Sequence, residues 1–321
     1  LGELNASHTG CRYNAYRNVM QTAQLGLFFD EAYNGDGLKG KEVLRRGPFD
    51  VNNTGVKPGS IITAIDGVKI NAGEDYNRLL DGKIGKNIRV SFAKAQGKTE
   101  ETITVKPVSQ AQIRELLYKR WVKRQEALCD SLSGGRLGYV HLQQMNDNSY
   151  REIYEKVLGE YNKKDGIVID TRFNGGGRLH EDIQILFSGE KYLTQVVRGR
   201  EACDMPSRRW NRPTIMLQCE ANYSNAHGTP WVYKHTGMGK LVGMPVPGTM
   251  TSVNWITMQD ESLIFGIPII GYRLADGSYL ENQQLDPDIR VANDPAVIVT
   301  GRDQQLEAAV KELLQEIDAK K

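Results

Sequence analysis

Two stretches of this sequence place residues able to hold or develop negative charge directly after apolar runs. The first, Asp170-Thr-Arg-Phe-Asn-Gly-Gly-Gly177, follows Ile167-Val-Ile. Consecutive glycines let backbone N–H groups face a ligand with no side chain in the way. Such a loop can hold a phosphate or a developing oxyanion. A phosphate loop needs Gly-Lys-Ser/Thr, whereas Gly177 is followed by Arg-Leu-His, which argues against a nucleotide site. Taken alone, a glycine triplet is more often a tight turn than a site. The second stretch, Gln218-Cys-Glu-Ala-Asn-Tyr-Ser224-Asn-Ala-His-Gly228, follows Thr214-Ile-Met-Leu217. A helix is expected from about Ala226, so the Ser224 hydroxyl would sit among unpaired N–H groups at a positive dipole end. That environment favours negative charge on oxygen, although a lone serine there is more often a helix N-cap.

The remaining chemical groups carry less. His180 follows the glycines and lines a cleft or is simply exposed. His227 reads as a helix-surface or pocket-lining residue outside the chemistry, and His141 and His235 as structural. Asp170 reads as orienting the glycine loop; Arg208, Arg209 and Trp210 could shape a pocket, without a geometry to place them.

The elements that must position these groups alternate between strand and helix from 134 to 321. Strands are expected at 137–142, 166–170, 214–217, 240–243 and 263–266. Helices are expected at 148–162, 180–187, from 226, and at 304–319. This is an α/β pattern, in which function gathers at the carboxyl ends of the strands. Residues 21–109 read instead as a mostly-β domain. Its strands lie at 25–29, 43–44, 61–65, 87–92 and 102–105, with a Gln96-Gly-Lys98 hairpin turn and a helix from Asn71 to Leu80. A linker helix covers 110–133, its basic run being a solvated face. The first 20 residues read as the end of a segment that continues upstream, Leu1 to His8 resembling a helix running into a loop.

Composition narrows the function classes. A chain of 321 residues suggests about two compact domains. Its 41 Lys and Arg against 39 Asp and Glu give no nucleic-acid footprint or polybasic membrane patch. No apolar run approaches the roughly 20 residues a membrane span needs. Cys11, Cys129, Cys203 and Cys219 form no Cys-x-x-Cys pair, so they are expected as buried free thiols and not as zinc ligands. No metal or cofactor is expected, and the compartment stays open, the reading leaning to the periplasm or cell envelope, or the cytoplasm, of a prokaryote.

In combination the motifs resemble a known family. Asp170-x-Arg-x-Asn-Gly-Gly-Gly177, then Asn222-Tyr-Ser-Asn-Ala226, then Lys240-Leu-Val-Gly243 is similar to the tail-specific (C-terminal processing) protease superfamily, and within it to the tricorn proteases. Residues 21–109 resemble a PDZ domain. Leu25-Gly26-Leu27-Phe28 stands where a carboxylate-binding loop would be, and Val56-Lys-Pro-Gly-Ser-Ile-Ile-Thr-Ala-Ile-Asp-Gly67 matches a PDZ core. The fold implied is a ClpP/crotonase-like α/β catalytic core with an inserted PDZ-like domain. The activity implied is serine peptidase action on peptides or unfolded chains, with homo-oligomer formation possible in such a family. Tail-specific enzymes use a Ser–Lys dyad, but Thr249 stands where that lysine falls. Tricorn-type enzymes carry a Ser-His pair before the PDZ domain, matched by Ser7-His8, and a late glutamate, matched by Glu281 in Leu280-Glu-Asn282. The resemblance thus implies Ser224 as nucleophile, His8 as base, Ser7 and Glu281 as its supports, and N–H groups of Gly176 or Gly177 and of Asn225 as the oxyanion hole. Two alternatives stand beside it. One is a degenerate core with a peptide-binding PDZ domain; the other is a crotonase-like acyl-CoA enzyme, which would have no use for Ser7-His8 or a PDZ domain.

Overall fold

A computed structural model describes residues 5–13, 19–51, 54–95 and 99–320. The chain divides into two compact units, residues 15–121 and residues 1–14 with 122–321. Leu1 to Leu4 and the Gln96-Gly-Lys98 turn lie outside the described residues. Among the described residues no helix is long and apolar enough to cross a membrane.

Strand β1 (Gly10–Tyr13) belongs to the larger unit. The smaller unit holds β2 (Leu27–Phe29), β3 (Leu38–Val43), the short helix α1 (Pro48–Val51), β4 (Ile61–Ile65), β5 (Val68–Lys69), β6 (Ile88–Ala93) and β7 (Glu100–Val105). They form an antiparallel sheet in the order β2-β3-β4-β6-β7, with β5 paired to β4. Alternation along β6 buries Ile88, Val90 and Phe92 and turns Arg89 out, as the two-residue period of a strand requires. The helix expected from Asn71 is only a 3-10 helix, Tyr76–Leu80. Gly73 takes a left-handed φ of +76°, and the Asp75 side chain caps Asn77 N–H at 3.0 Å, so helical structure cannot begin earlier. Helix α2 (Gln110–Ser133) follows.

The larger unit is built on a parallel sheet in the order β16-β13-β12-β9-β8. These strands are β8 (Leu137–His141), β9 (Gly166–Asp170), β12 (Thr214–Gln218), β13 (Leu241–Gly243) and β16 (Ile289–Arg290). Every residue of β9 and β12 is buried, which suits their unbroken apolar runs to a sheet covered on both faces. The helices are α3 (Asp147–Glu155), α4 (His180–Phe187), α5 (Asn225–His235), α6 (Pro295–Ile298) and α7 (Gln304–Asp318). The helix expected over 148–162 changes character at its midpoint, where α3 gives way to a single π turn, Lys156–Glu160.

Two antiparallel additions were not expected from the sequence. β10 (Leu193–Val197) and β11 (Arg200–Met205) form a hairpin. β14 (Thr251–Thr257) and β15 (Leu263–Gly271) pair with each other, and β1 adds to β15. The strand expected at 263–266 is therefore longer and lies outside the parallel sheet. These additions also correct the cysteine expectation. Cys129 and Cys219 are buried, but Cys11 on β1 and Cys203 on β11 are exposed.

Candidate active site

Parallel topology brings the two motifs together. β9 and β12 are neighbours, with Asp170 opposite Leu217, so the glycine loop and the Ser224 loop leave the same end of the sheet. β13 adds the 244–250 segment at that end, Gly243 standing opposite Gln218. Tyr223 N–H donates to Asn174 O at 3.0 Å and joins the two loops. Gly176 has a φ of +100°, and a Cβ built on it would lie 2.5 Å from Ser224 Cβ and 2.8 Å from Tyr223 O. No other residue fits there.

A buried ionic cluster anchors the loop from below. Arg172, 1% exposed, places its guanidinium on Asp170 and on Asp303. Asp303 also caps α7 through Leu306 N–H at 3.0 Å. Burial opposes a charge on Asp170, but the adjacent Arg172 holds its carboxyl below the usual range. Asp170 thus has the orienting surroundings expected for it.

Ser224 occupies the N-cap position of α5, yet its side chain makes no capping hydrogen bond. Its backbone sits at φ 57°, ψ −126°. Such a conformation costs a non-glycine residue on the order of 1–3 kcal/mol and is held by its surroundings. The hydroxyl is therefore not occupied by the ordinary task of a serine at this place. Among the nearby amides, Ser224 N–H donates to Thr249 Oγ1 at 3.2 Å, and Gly176 N–H to Asn174 Oδ1 at 2.8 Å. The Gly177 and Asn225 amides have no partner among the described residues. Of the two glycine amides considered for an oxyanion hole, Gly176 is already engaged.

Ser7, His8 and Glu281 meet although His8 and Glu281 lie 273 positions apart in the chain. Ser7 Oγ lies 2.7 Å from His8 Nδ1 and donates to Glu281 Oε2 at 3.1 Å. Ser7 N–H donates to Glu281 Oε1, so the carboxylate grips Ser7 twice. Thr251 Oγ1 adds a contact of 3.0 Å to His8 Nδ1. With Ser7 Oγ–H directed at the carboxylate, Nδ1 carries the donating proton and Nε2 keeps a lone pair. Burial lowers the His8 pKa below its ordinary value, while the Glu281 charge pulls it back upward. His8 N–H donates to Tyr223 Oη at 2.7 Å, and the two rings lie 4.5 Å apart. His8 is thereby tied to the residue next to Ser224. Ser224 Oγ itself forms no hydrogen bond to the His8 ring among the described residues.

Other expectations fare variously. His227 is fully buried and not on a surface; its Nδ1 accepts from Thr249 N–H at 3.3 Å, and its Nε2 has no partner among the described residues. Burial pushes its pKa down to about 4. His141 bonds the Arg172 carbonyl at 3.0 Å, and His235 stacks on Trp231. Trp210 is buried in the core; Arg208 and Arg209 are exposed. The cavity of about 320 Å³ that Arg209 and Trp210 help to line contains none of the residues around Ser224. In the smaller unit, Leu25 is buried, Gly26 is left-handed against Pro48, and Leu27 and Phe28 begin β2. β2 pairs only with β3 among the described residues, which leaves its other edge open. Tyr223 and Thr251 were missed in the sequence. Tyr223 is signalled only by its place beside Ser224, and nothing marks Thr251 before β14 sets it beside His8.

Residues 136–291 match the model of peptidase family S41, and residues 30–110 match that of the tricorn protease PDZ domain. The chain is 28% identical over 293 residues, 90% of its length, to a Sulfurisphaera tokodaii protein named as the C-terminal subunit of a tricorn-like protease. It is 26% identical over 327 residues, 96% of its length, to tricorn protease homolog 1 of Streptomyces coelicolor. It covers 32% and 30% of those two proteins, about a third of their length. Among solved structures, the crystal structure of the tricorn protease superposes with a TM-score of 0.81 at 21% identity, over 99% of this chain and 31% of that one. In its core this chain is thus similar to peptidase family S41, and in its smaller unit to the tricorn protease PDZ domain.

Proposed function

We propose that this chain is a serine peptidase that hydrolyses peptides or unfolded chains through an acyl-enzyme on Ser224. The observation that carries the reading is the hydrogen-bonded line Glu281–Ser7–His8, tied to Tyr223, the residue before a strained, uncapped serine. His8 Nε2 takes the Ser224 proton as Oγ attacks the carbonyl carbon, then returns it to the leaving amine. A water deprotonated by the same nitrogen releases the acid. Glu281, through Ser7, holds the imidazole in its Nδ1–H form and stabilises the imidazolium formed during attack. The Gly177 and Asn225 amides receive the oxyanion, a role in which one donor is worth about 10²–10³ in rate. In the same reading residues 21–109 form the PDZ domain and 134–321 the catalytic core, joined through the 110–133 helix. The open edge of β2 would take a peptide strand, its end facing Leu25 to Phe28. Self-association fits the exposed Ile269 and Ile270 on β15.

A second reading, peptide binding without turnover, draws on one observation, the missing Ser224–His8 hydrogen bond. A fluorophosphonate separates the two. Labelling of the chain at Ser224, absent in Ser224→Ala, together with cleavage of oxidised insulin B chain, is expected for the peptidase. Binding of that peptide with neither labelling nor cleavage would establish the second reading.

A further inference from the structure

The side chain of Asn225 does something its backbone does not explain. It is 3% exposed, and its Oδ1 accepts two N–H groups, from Leu179 at 2.8 Å and His180 at 3.1 Å. Those amides lie directly after the glycine loop, at the start of α4. With Oδ1 committed to two donors, the carboxamide cannot turn over. Its Nδ2 must therefore be the atom 2.7 Å from His180 Nδ1.

The consequence is chemical. Nδ2 carries only donors, so Nδ1 of His180 must accept, and the single proton of the neutral ring sits on Nε2. His180 is partly exposed, and its Nε2 has no partner among the described residues. The same Asn225 links the two amides assigned to the oxyanion hole, its own N–H and, through Leu179, the glycine loop that carries Gly177. His180 stands three residues after Gly177 and is bonded to the Asn225 side chain, so its ring belongs to the same loop cluster as those two amides.

We propose that His180 is a substrate-binding residue, held by Asn225 as a neutral Nε2–H donor that bonds a main-chain carbonyl of the peptide beside the scissile bond. This rests on the peptidase reading and deepens it. A neutral donor suits a neutral acceptor. It gives the cleft a hold on any extended chain, independent of side-chain identity.

The test begins with binding, so that it does not depend on turnover. In Ser224→Ala, ¹⁵N NMR of the neutral His180 ring should show its proton on Nε2 and a bare Nδ1. Addition of oxidised insulin B chain should shift Nε2 and leave Nδ1 in place. Asn225→Asp should reverse the ring, because a carboxylate can only accept from Nδ1. His180→Phe should raise the Kd for the labelled peptide by about three- to tenfold, the worth of one neutral hydrogen bond, and His180→Gln, which keeps a donor, should recover part of it. In the active chain the same factor should appear in KM with kcat little changed. A protonated Nδ1 in the Ser224→Ala chain, or an unchanged Kd in both His180 variants, overturns the proposal. Failure of Ser224 to label would sink the peptidase reading and leave the ring and binding measurements standing.

Discussion

The two halves of the candidate site are held in different ways. Ser224, the glycine loop and Asn225 stand on the ends of adjacent, fully buried parallel strands, braced by Arg172 and the cap of α7. Ser7 and His8 sit on a short stretch before β1, and Glu281 on a turn after β15. They are fixed by side-chain hydrogen bonds and by the pairing of one four-residue strand. Core burial sets the proposed nucleophile; a few polar contacts set the proposed base. Polar contacts of this kind are each worth about 0.5–1.5 kcal/mol, so the base half is the half that single substitutions can uncouple without unfolding the core.

The largest test of that contrast is His8→Ala. It should lower kcat for insulin B chain cleavage by about 10⁴, while the thermal midpoint of the core stays within about 2 °C of the parent, as for a change outside the core. A rate loss below tenfold would remove His8 from the mechanism. A large fall in melting temperature would show the two halves to be one cooperative unit.

Glu281→Gln should cost about 10² in kcat and also move the pH profile. His8 already titrates below its ordinary value, so kcat/KM should hold its plateau below pH 6.5 and fall as His8 gains its proton. Removing the Glu281 charge withdraws the influence that raises that pKa, so the acid limb should move to lower pH as the rate drops. A shift to higher pH in a pH–rate series would break the assignment of that limb to His8.

On the nucleophile side the expected effect is smaller. Thr249→Val deletes the acceptor for Ser224 N–H while keeping the shape, and kcat should fall about tenfold, the worth of one hydrogen bond. Thr249→Ser should restore most of it. Equal rates in both variants would mean that the packed strands alone fix the Ser224 backbone.

Much of this contrast could be read in the sequence. The apolar runs 166–170 and 214–217 mark buried parallel strands, and residues after such strands gather at one end of a sheet. That is enough to pair the glycine loop with Ser224. Ser7, His8 and Glu281 were legible only through resemblance, because no local pattern predicts that β1 will pair with β15. Helix starts depended on local chemistry that sequence periodicity does not display, as where Gly73 and Asp75 delay the 3-10 helix to Tyr76. His227 looked peripheral since a histidine in the first turn of a helix can face either way; only packing put it under Thr249.

The sequence by itself determined the layered α/β core, the mostly-β unit beside it and the serine that follows the second buried strand. These rest on periodicity and turn chemistry, which act over a few residues. The tertiary structure decided which amides remain unengaged, which nitrogen of His8 and of His180 holds the proton, and that Thr249 and Tyr223 support the site. Each of those depends on hydrogen-bond partners distant in the chain, and a donor's commitment is known only when its acceptor is in place.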